Sequence, residues 1–136
     1  MIIEHWTFSN SEYIYIQLAR KIKYAIFNKD FSAGETIPSI RTTAQILHIN
    51  PNTASRAYKL VKNEGLIVVS QSGNYSVISD ERYITQKRDE AVTKLYCSYL
   101  QNMFKLGFKK MEAIQYLQAS YNELKYHNLI DIIYRR

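Results

Sequence analysis

Two helix starts that lie close together constrain this chain more than any other feature of its sequence. Ser39 is a good N-cap for a short amphipathic helix that ends at Leu47. Soon afterwards Asn50 can cap a second helix, and Pro51 stands at its first position, where the missing N–H costs nothing. We expect this second helix to extend to Glu64. Two helices joined by so short a connection predict a helix-turn-helix.

Two strand-like runs follow the second helix. Gly65 is a natural helix terminator. Beyond it, Leu66–Ser70 and Tyr75–Ile78 enclose a polar turn that contains Gly73, and this pattern is a hairpin signal. A helix-turn-helix followed by a hairpin predicts a winged helix-turn-helix domain over residues 1–80.

The segment ahead of the helix pair adds one more helix. Apolar residues recur at helical spacing from Tyr13 to Asn28, and Ser11 is the predicted N-cap. Met1–Phe8 alternates loosely between apolar and polar residues, so we expect an edge strand there. The predicted fold class is therefore mainly α with a small β-hairpin wing.

Residues 81–136 have a different character. A long helix carries a wide apolar stripe up to Gly107, and a second helix then repeats apolar residues at steps of three and four. An antiparallel hairpin of two helices is too thin to bury both faces, so we expect a dimerisation region. The residues predicted at the dimer interface are Val92, Leu95, Tyr99, Met103, Ile114, Leu117, Tyr121 and Leu124.

Composition excludes several classes of protein. Cys97 is the only cysteine, which rules out an internal disulfide and a cysteine-based zinc site, and we expect it to be buried on the long helix. The three histidines, His5, His48 and His127, lie far apart, so no metal site is predicted. We find no catalytic triad, phosphate-binding glycine loop or paired carboxylates, and predict neither an enzyme nor a cofactor. No signal peptide or membrane span is evident, and we expect a cytoplasmic protein.

The net charge of +6 suits a polyanionic partner but is a weak signal by itself. Residues 1–80 hold 8 Lys and Arg against 6 Asp and Glu, and residues 81–136 hold 10 against 6. Arg20, Lys21 and Lys23 form a basic cluster that we interpret as a solvated helix face. A case for nucleic-acid binding must therefore depend on a motif and not on bulk charge.

Four stretches of the sequence follow a known pattern. They are Tyr15-Ile16-Gln17, Ala33-Gly34-Glu35-Thr36-Ile37-Pro38-Ser39-Ile40-Arg41, Ile49-Asn50-Pro51-Asn52-Thr53-Ala54-Ser55-Arg56-Ala57-Tyr58 and Glu64-Gly65-Leu66-Ile67. With this spacing the chain resembles the GntR-type winged-helix transcription regulators over residues 1–125. Its length and its short helical C-terminus resemble the YtrA-type subgroup, which lacks a large effector domain and dimerises through those helices.

The resemblance implies double-stranded DNA as a partner and Asn50–Glu64 as the recognition helix. Side chains near the start of such a helix enter the major groove, where Arg reads guanine and Asn reads adenine. The alternative is that Asn50-Pro51 only caps the helix and Arg56 is only a solvated charge. Tyr58 is either core-facing or a phosphate contact, and we favour phosphate; Lys59 binds phosphate or is solvated. The predicted DNA contacts are Arg41, Asn50, Asn52, Thr53, Ser55, Arg56, Tyr58, Lys59 and Gly73.

The sequence departs from the family pattern at two places. The wing reads Ser70-Gln71-Ser72-Gly73-Asn74-Tyr75, without the usual basic residues and with one glycine replaced by asparagine. His48 replaces the usual glycine in the turn, so we expect either a strained conformation at His48 or a local change in the turn. The contribution of the wing to DNA binding is left open.

The leading hypothesis is a homodimeric, sequence-specific DNA-binding repressor that reads a palindromic operator. Similar proteins commonly control neighbouring ABC-transporter operons. The alternative is a protein–protein interaction module that has lost DNA binding, which the altered wing favours and which Arg41, Asn52 and Arg56 oppose. A small-molecule effector is neither supported nor excluded by the sequence, and no membrane partner is expected.

Overall fold

A computed structural model describes residues 1–135, without the side chains of residues 124–127. The chain divides into two compact units, Met1–Arg88 and Asp89–Arg136. After a short 3-10 helix, Ile2–His5, the elements follow in a simple order. They are α1 (Ile14–Phe27), α2 (Ile40–Leu47), α3 (Pro51–Asn63), β1 (Ile67–Val69), β2 (Tyr75–Val77), α4 (Glu81–Lys105), α5 (Lys110–Asn122) and α6 (Leu124–Tyr134). The predicted fold, mainly helical with a two-stranded wing, is confirmed.

The N-terminal segment is a 3-10 helix, and the predicted edge strand is wrong. The Glu4 N–H donates to the Met1 carbonyl, and the charged N-terminus pairs with the Glu4 carboxylate at 3.3 Å. These local bonds bury the side chain of Ile3 in the core. In this helix the backbone groups form hydrogen bonds with near neighbours in the sequence. In a strand they would have needed partners on another strand.

The caps of α2 and α3 are those the sequence predicts. The Ser39 hydroxyl accepts a hydrogen bond from the Thr42 N–H at 3.0 Å. The Asn50 side-chain carbonyl accepts from the Asn52 N–H at 2.8 Å, and Pro51 opens the helix. Each bond satisfies one of the backbone donors that a helix start leaves without a partner.

The start of α1 differs from the prediction. The helix begins at Ile14, and its N-cap residue, Tyr13, makes no side-chain cap. The hydroxyl of Ser11, the predicted cap, lies 2.8 Å from that of Ser9 instead. The helix starts three residues later than Ser11 because the preceding residues form an irregular loop.

The turn between α2 and α3 requires a left-handed residue. His48 has φ 54° and ψ 44°, a region that glycine adopts far more easily than histidine. This conformation lets the Ile49 N–H donate to the Ala44 carbonyl at 3.0 Å. Of the two expectations for the turn, the strained conformation at His48 is confirmed.

The wing is a short antiparallel hairpin in which Ile67 pairs with Val77 and Val69 with Tyr75. The Ser70 N–H donates to the Asn74 carbonyl at 2.8 Å and closes the loop. The segment before α2 joins this sheet, because the Ile37 N–H donates to the Tyr75 carbonyl at 2.9 Å. The wing is thereby anchored beside the start of α2.

One apolar core holds the first unit together. α1 buries Leu18, Ile22 and Ile26, and α3 packs against it. The other fully buried side chains include Ala54, Ala57, Val61, Leu66, Ile67 and Val77. Burial of aliphatic side chains on both faces of this contact supplies the main stabilising term for the unit.

The described residues after Arg88 include parts of three helices, one more than the two predicted, because Leu124–Tyr134 folds as α6. α4 ends at Lys105, and Gly107, two residues further on, has φ 98°. Met103 and Ala113 are buried, and the Tyr99 hydroxyl donates to the Ala113 carbonyl at 2.8 Å. Cys97 is exposed, so the expectation that it is buried is wrong. None of the described helices is long and apolar enough to cross a bilayer.

Candidate nucleic-acid interface

The helix-turn-helix is fixed by a buried tyrosine. Tyr58 on α3 is 2% exposed, and its hydroxyl lies 2.7 Å from the Thr43 hydroxyl on α2. It also donates to the Pro38 carbonyl just ahead of α2. Burial raises the pKa of Tyr58 to about 12, because the charged phenolate would lose its solvation there.

The favoured interpretation of Tyr58 as a phosphate contact is therefore wrong. Its side chain points into the core, where no DNA can reach it. The sequence carried the signal, because Ala54, Ala57, Tyr58 and Val61 follow the i, i+3, i+4, i+7 spacing of one helix face. The structure selects the core-facing alternative for this residue.

The opposite face of α3 is polar and solvated. Asn52, Ser55, Arg56 and Lys59 are all exposed, and their spacing of three and four places them on one face. Thr53 lies at the edge of this face and is half-buried. The burial of Tyr58 and the exposure of this row follow from the same helical period.

Arg41 is exposed in the first turn of α2, two residues after the Ser39 cap. A cation near a helix N-terminus is electrostatically disfavoured, since the helix dipole is positive there. Within the described part of the chain, Arg41, Arg56 and Lys59 form no ion pair with a carboxylate. Their charges are available to an anionic ligand.

Two other cations of the first unit are neutralised. Arg20 forms an ion pair with Glu12 at 2.7 Å, which lowers the pKa of the Glu12 carboxyl through that hydrogen bond. Lys23 pairs with Glu64 at 3.3 Å. Both of these paired cations lie on α1. The cations of α2 and α3 have no carboxylate partner among the described residues.

An open groove of about 720 Å³ lies beside the exposed face of α3. Its walls are Ser9–Tyr15 on one side and Thr53 and Arg56 on the other. The buried side chain of Gln17 fixes the first wall: its amide donates to the Ser9 carbonyl at 2.9 Å and accepts from the Ser9 N–H at 2.9 Å.

Arg56 stacks on an aromatic ring in this groove. Its guanidinium carbon lies 3.9 Å from the centroid of the Tyr15 ring. Tyr13 stacks on Tyr15 in turn, with centroids 6.0 Å apart and planes at 29°. The sequence does not predict this contact, because Tyr15 and Arg56 belong to different helices and no sequence period relates them.

The wing presents hydroxyl and amide groups but no cation. Gly73 sits at its tip with φ 86°, and no other heavy atom lies within 4 Å of where its side chain would begin. The surrounding polar residues are exposed, and Val68 is 50% exposed. The backbone of the tip is open to a partner on its outer side.

The predicted dimer residues differ in exposure within the single chain. Tyr99 is half-buried and Met103 is buried, whereas the side chain of Leu124 lies outside the described residues. The remaining residues of the set are exposed apolar side chains: Val92, Leu95, Ile114, Leu117 and Tyr121. Such a concentration of exposed apolar side chains is typical of a surface that meets a partner.

The histidines show no arrangement for a metal. His5 and His48 are exposed and lie on separate elements, and the side chain of His127 is not among those described. No group of three or more His, Cys, Asp or Glu among the described side chains could hold a metal ion.

The chain is similar in sequence to known transcriptional regulators. No protein-family model matches the chain. It is 25% identical over 108 residues to the uncharacterized HTH-type transcriptional regulator YhcF of Bacillus subtilis, covering 79% of this chain and 89% of YhcF. It is 39% identical over 54 residues to the HTH-type transcriptional repressor YtrA of the same organism, covering 40% of this chain and 42% of YtrA.

A solved structure extends the likeness to the fold. A GntR family transcriptional regulator from Listeria monocytogenes superposes with a TM-score of 0.75 at 29% identity, covering 82% of this chain and 98% of that one. The fold, the helix-turn-helix and these relatives define the class as helix-turn-helix transcription regulators. More particularly, the chain is similar to GntR family regulators and to YtrA.

Proposed function

We propose that this regulator is a cytoplasmic homodimeric repressor that binds a palindromic operator through α3. The observation that carries the proposal is the exposed row Asn52, Ser55, Arg56 and Lys59, which is polar, solvated and without carboxylate partners among the described residues. A recognition helix reads bases with such a row in its first turns. The proposed DNA-binding domain is residues 1–80, and residues 81–136 form the dimerisation region.

Each residue of the row has a proposed role that follows from its chemistry. Arg56 reads a guanine through its planar pair of donors, and Asn52 reads an adenine. Thr53, at the edge of the row, offers its methyl group to a thymine, and Ser55 donates to a base edge or a phosphate. Lys59 lies further along α3 and binds phosphate.

Residues outside the row fix the register on the duplex. Arg41 approaches the phosphate backbone from α2. Asn50 uses its carbonyl oxygen for the helix cap, so its amide nitrogen is the group that donates to phosphate. Gly73 offers the backbone of the wing tip, since this wing has no cation to offer.

The dimer is proposed from the exposed apolar side chains of the second unit. Leu95 and Leu117 are 63% and 59% exposed in the single chain. Two-fold pairing of this surface would remove apolar area from water and would carry two recognition helices, each for one half-site. A palindromic operator follows from that symmetry.

Repression is proposed because the relative YtrA is named a transcriptional repressor. The resemblance to YtrA-type regulators supports an ABC-transporter operon as the regulated target. The neutral wing favours a second candidate function, a protein–protein interaction module on the same scaffold. The two functions differ in whether the exposed row of α3 contacts duplex DNA.

Selection from a randomised duplex library with the full-length protein tests the proposal. The selected site should be palindromic, and Arg56→Ala should lower affinity for it about tenfold or more, since a good bidentate contact contributes about 1–3 kcal/mol. Arg41→Ala should also weaken binding. Lys62→Ala, on the same helix beyond the row, is the matched control. If both arginine variants bind as tightly as the wild type, the interaction module is the better function.

A further inference from the structure

We infer that Tyr15 is a specificity-determining residue that positions Arg56 for base reading. The inference rests on the proposed function, because it assigns Tyr15 a role in the contact that Arg56 makes with DNA. Its basis is the stack in which the Arg56 guanidinium carbon lies 3.9 Å from the centre of the Tyr15 ring. At that distance the guanidinium lies against the ring face.

The ring is part of a fixed platform. Tyr15 is half-buried and packs against the core of the first unit. Tyr13 stacks against it, and the loop just before it is held by Gln17, whose amide also donates to the Glu12 carbonyl at 2.6 Å. Tyr15 therefore has little freedom to follow the arginine, and the arginine adopts the position that the ring allows.

A guanidinium that lies over an aromatic ring can keep its reading edge free. A cation–π contact uses the face of the guanidinium, whereas hydrogen bonds to guanine O6 and N7 lie in the guanidinium plane. Both interactions can therefore be made at once. In that arrangement the stack orients the two guanidinium N–H donors and leaves them free to bind the base.

The energetic consequence is preorganisation. A free arginine loses side-chain conformational entropy when it is fixed against a base, and this loss weakens binding. Stacking on Tyr15 imposes part of that order before DNA binds. Lysine at position 56 would neither stack as a plane nor form the paired contact.

The same contact has an opposite interpretation, in which Tyr15 holds Arg56 away from DNA. The two interpretations predict opposite changes in DNA affinity when the Tyr15 ring is removed. If Tyr15 positions the arginine, loss of the ring weakens binding to the selected site. If Tyr15 withholds the arginine, loss of the ring strengthens it.

The test compares Tyr15→Leu, which removes the aromatic face, with Tyr15→Phe, which keeps it, in the full-length protein. The preferred duplex from library selection and its single-base variants are titrated at fixed salt. Tyr15→Leu should weaken binding to the preferred duplex about two- to fivefold, the range for an exposed cation–π contact. The loss should be confined to the base pair that Arg56→Ala also affects, and Tyr15→Phe should behave as the wild type.

A double variant separates positioning from general damage. In the Arg56→Ala background, Tyr15→Leu should cause no further loss, because its effect acts through the arginine. An equal loss in both backgrounds and on all duplexes would mean that Tyr15 only supports the fold, and tighter binding would mean that it withholds Arg56; either overturns the inference. If Tyr15→Leu lowers the thermal midpoint, Tyr15→Met is the second ring-free variant.

The outcomes also distinguish this inference from the proposed function. If Arg56→Ala loses specificity while Tyr15→Leu binds as the wild type, only the role of Tyr15 is overturned and the DNA-binding function stands. If Arg56→Ala itself keeps every base preference, Arg56 is not a reader, and the role of Tyr15 fails with it.

Discussion

The hydroxyl of Tyr58 on α3 lies 2.7 Å from the hydroxyl of Thr43 on α2, and both side chains are buried. This contact links the two helices of the helix-turn-helix at a point that water does not reach. Because the Tyr58 hydroxyl also donates to the Pro38 carbonyl, it fixes the entry of α2 as well. The one phenol therefore links α3 both to α2 and to the segment just ahead of α2.

Replacement of Tyr58 by phenylalanine should therefore destabilise the first unit. The change keeps the ring but leaves the Thr43 hydroxyl and the Pro38 carbonyl without this partner. A buried polar group left unsatisfied costs about 1–3 kcal/mol. Urea unfolding should show a loss in that range, whereas Tyr13→Phe, at a 74% exposed side chain, should show almost none. Equal stability of Tyr58→Phe and the wild type would mean that water replaces the hydroxyl.

The same phenol predicts a dependence of stability on alkaline pH. Burial raises its folded-state pKa to about 12, above that of a free tyrosine, so its contribution is complete below about pH 10 and is lost as pH rises toward 12. This difference in pKa corresponds to about 2–3 kcal/mol. The difference in unfolding free energy between the wild type and Tyr58→Phe should shrink by that amount between pH 10 and pH 12. A constant difference would show that Tyr58 does not ionise on unfolding in this interval.

The parts of the fold that the sequence predicts are those set by near neighbours. The caps at Ser39 and Asn50 each involve a backbone N–H two or three residues away, and the hairpin is closed within one short loop. Helical period likewise predicts the exposed row of α3. Local chemistry decides these features, so a single sequence is enough.

The parts that the sequence did not predict depend on distant partners. The Tyr15–Arg56 stack joins α1 to α3, and the sequence around either residue does not indicate its contact with the other. Residues 1–8 have too weak an alternation to distinguish a strand from a 3-10 helix, and the structure supplies no neighbouring strand for Ile3 within the described chain. Tyr58 is different: its helical position indicated the core, but the resemblance to a family in which this position faces solvent favoured the wrong interpretation.

Replacement of His48 by glycine should stabilise the first unit. His48 has φ 54°, where a residue with a side chain pays a steric cost of about 1–2 kcal/mol that glycine does not. Part of the gain is offset by the greater freedom of glycine in the unfolded chain. We expect a net gain of about 0.5–1 kcal/mol in thermal or urea unfolding. Gln45→Gly, inside α2, is the control and should destabilise by about 1 kcal/mol; a loss at position 48 would show that the imidazole makes a stabilising contact.

Addition of charge to the wing should change how salt affects DNA binding. The wing has no Lys or Arg between Gly65 and Val77, so it neutralises no phosphate through a side-chain cation. Ser70→Arg with Gln71→Arg should tighten non-specific duplex binding and steepen the slope of log K against log salt by about one for each phosphate gained. Ser70→Gln, which adds a long neutral side chain beside the unchanged Gln71, is the neutral control. An unchanged slope in the arginine variant would mean that the wing stays away from the DNA backbone.

The proposed dimer predicts a sharp difference between two faces of α4. Leu95 is 63% exposed on the apolar stripe, and a charge there would be buried by pairing without a partner. Leu95→Glu should therefore convert the protein from a dimer to a monomer at micromolar concentration in multi-angle light scattering. It should also weaken binding to the palindromic site far more than to a single half-site, because linked heads gain effective concentration. Gln101→Glu, on the opposite face of the helix, adds the same charge and should leave both mass and affinity unchanged. A wild-type protein that is monomeric at this concentration, or a Gln101→Glu variant that dissociates while Leu95→Glu does not, would contradict the proposed interface.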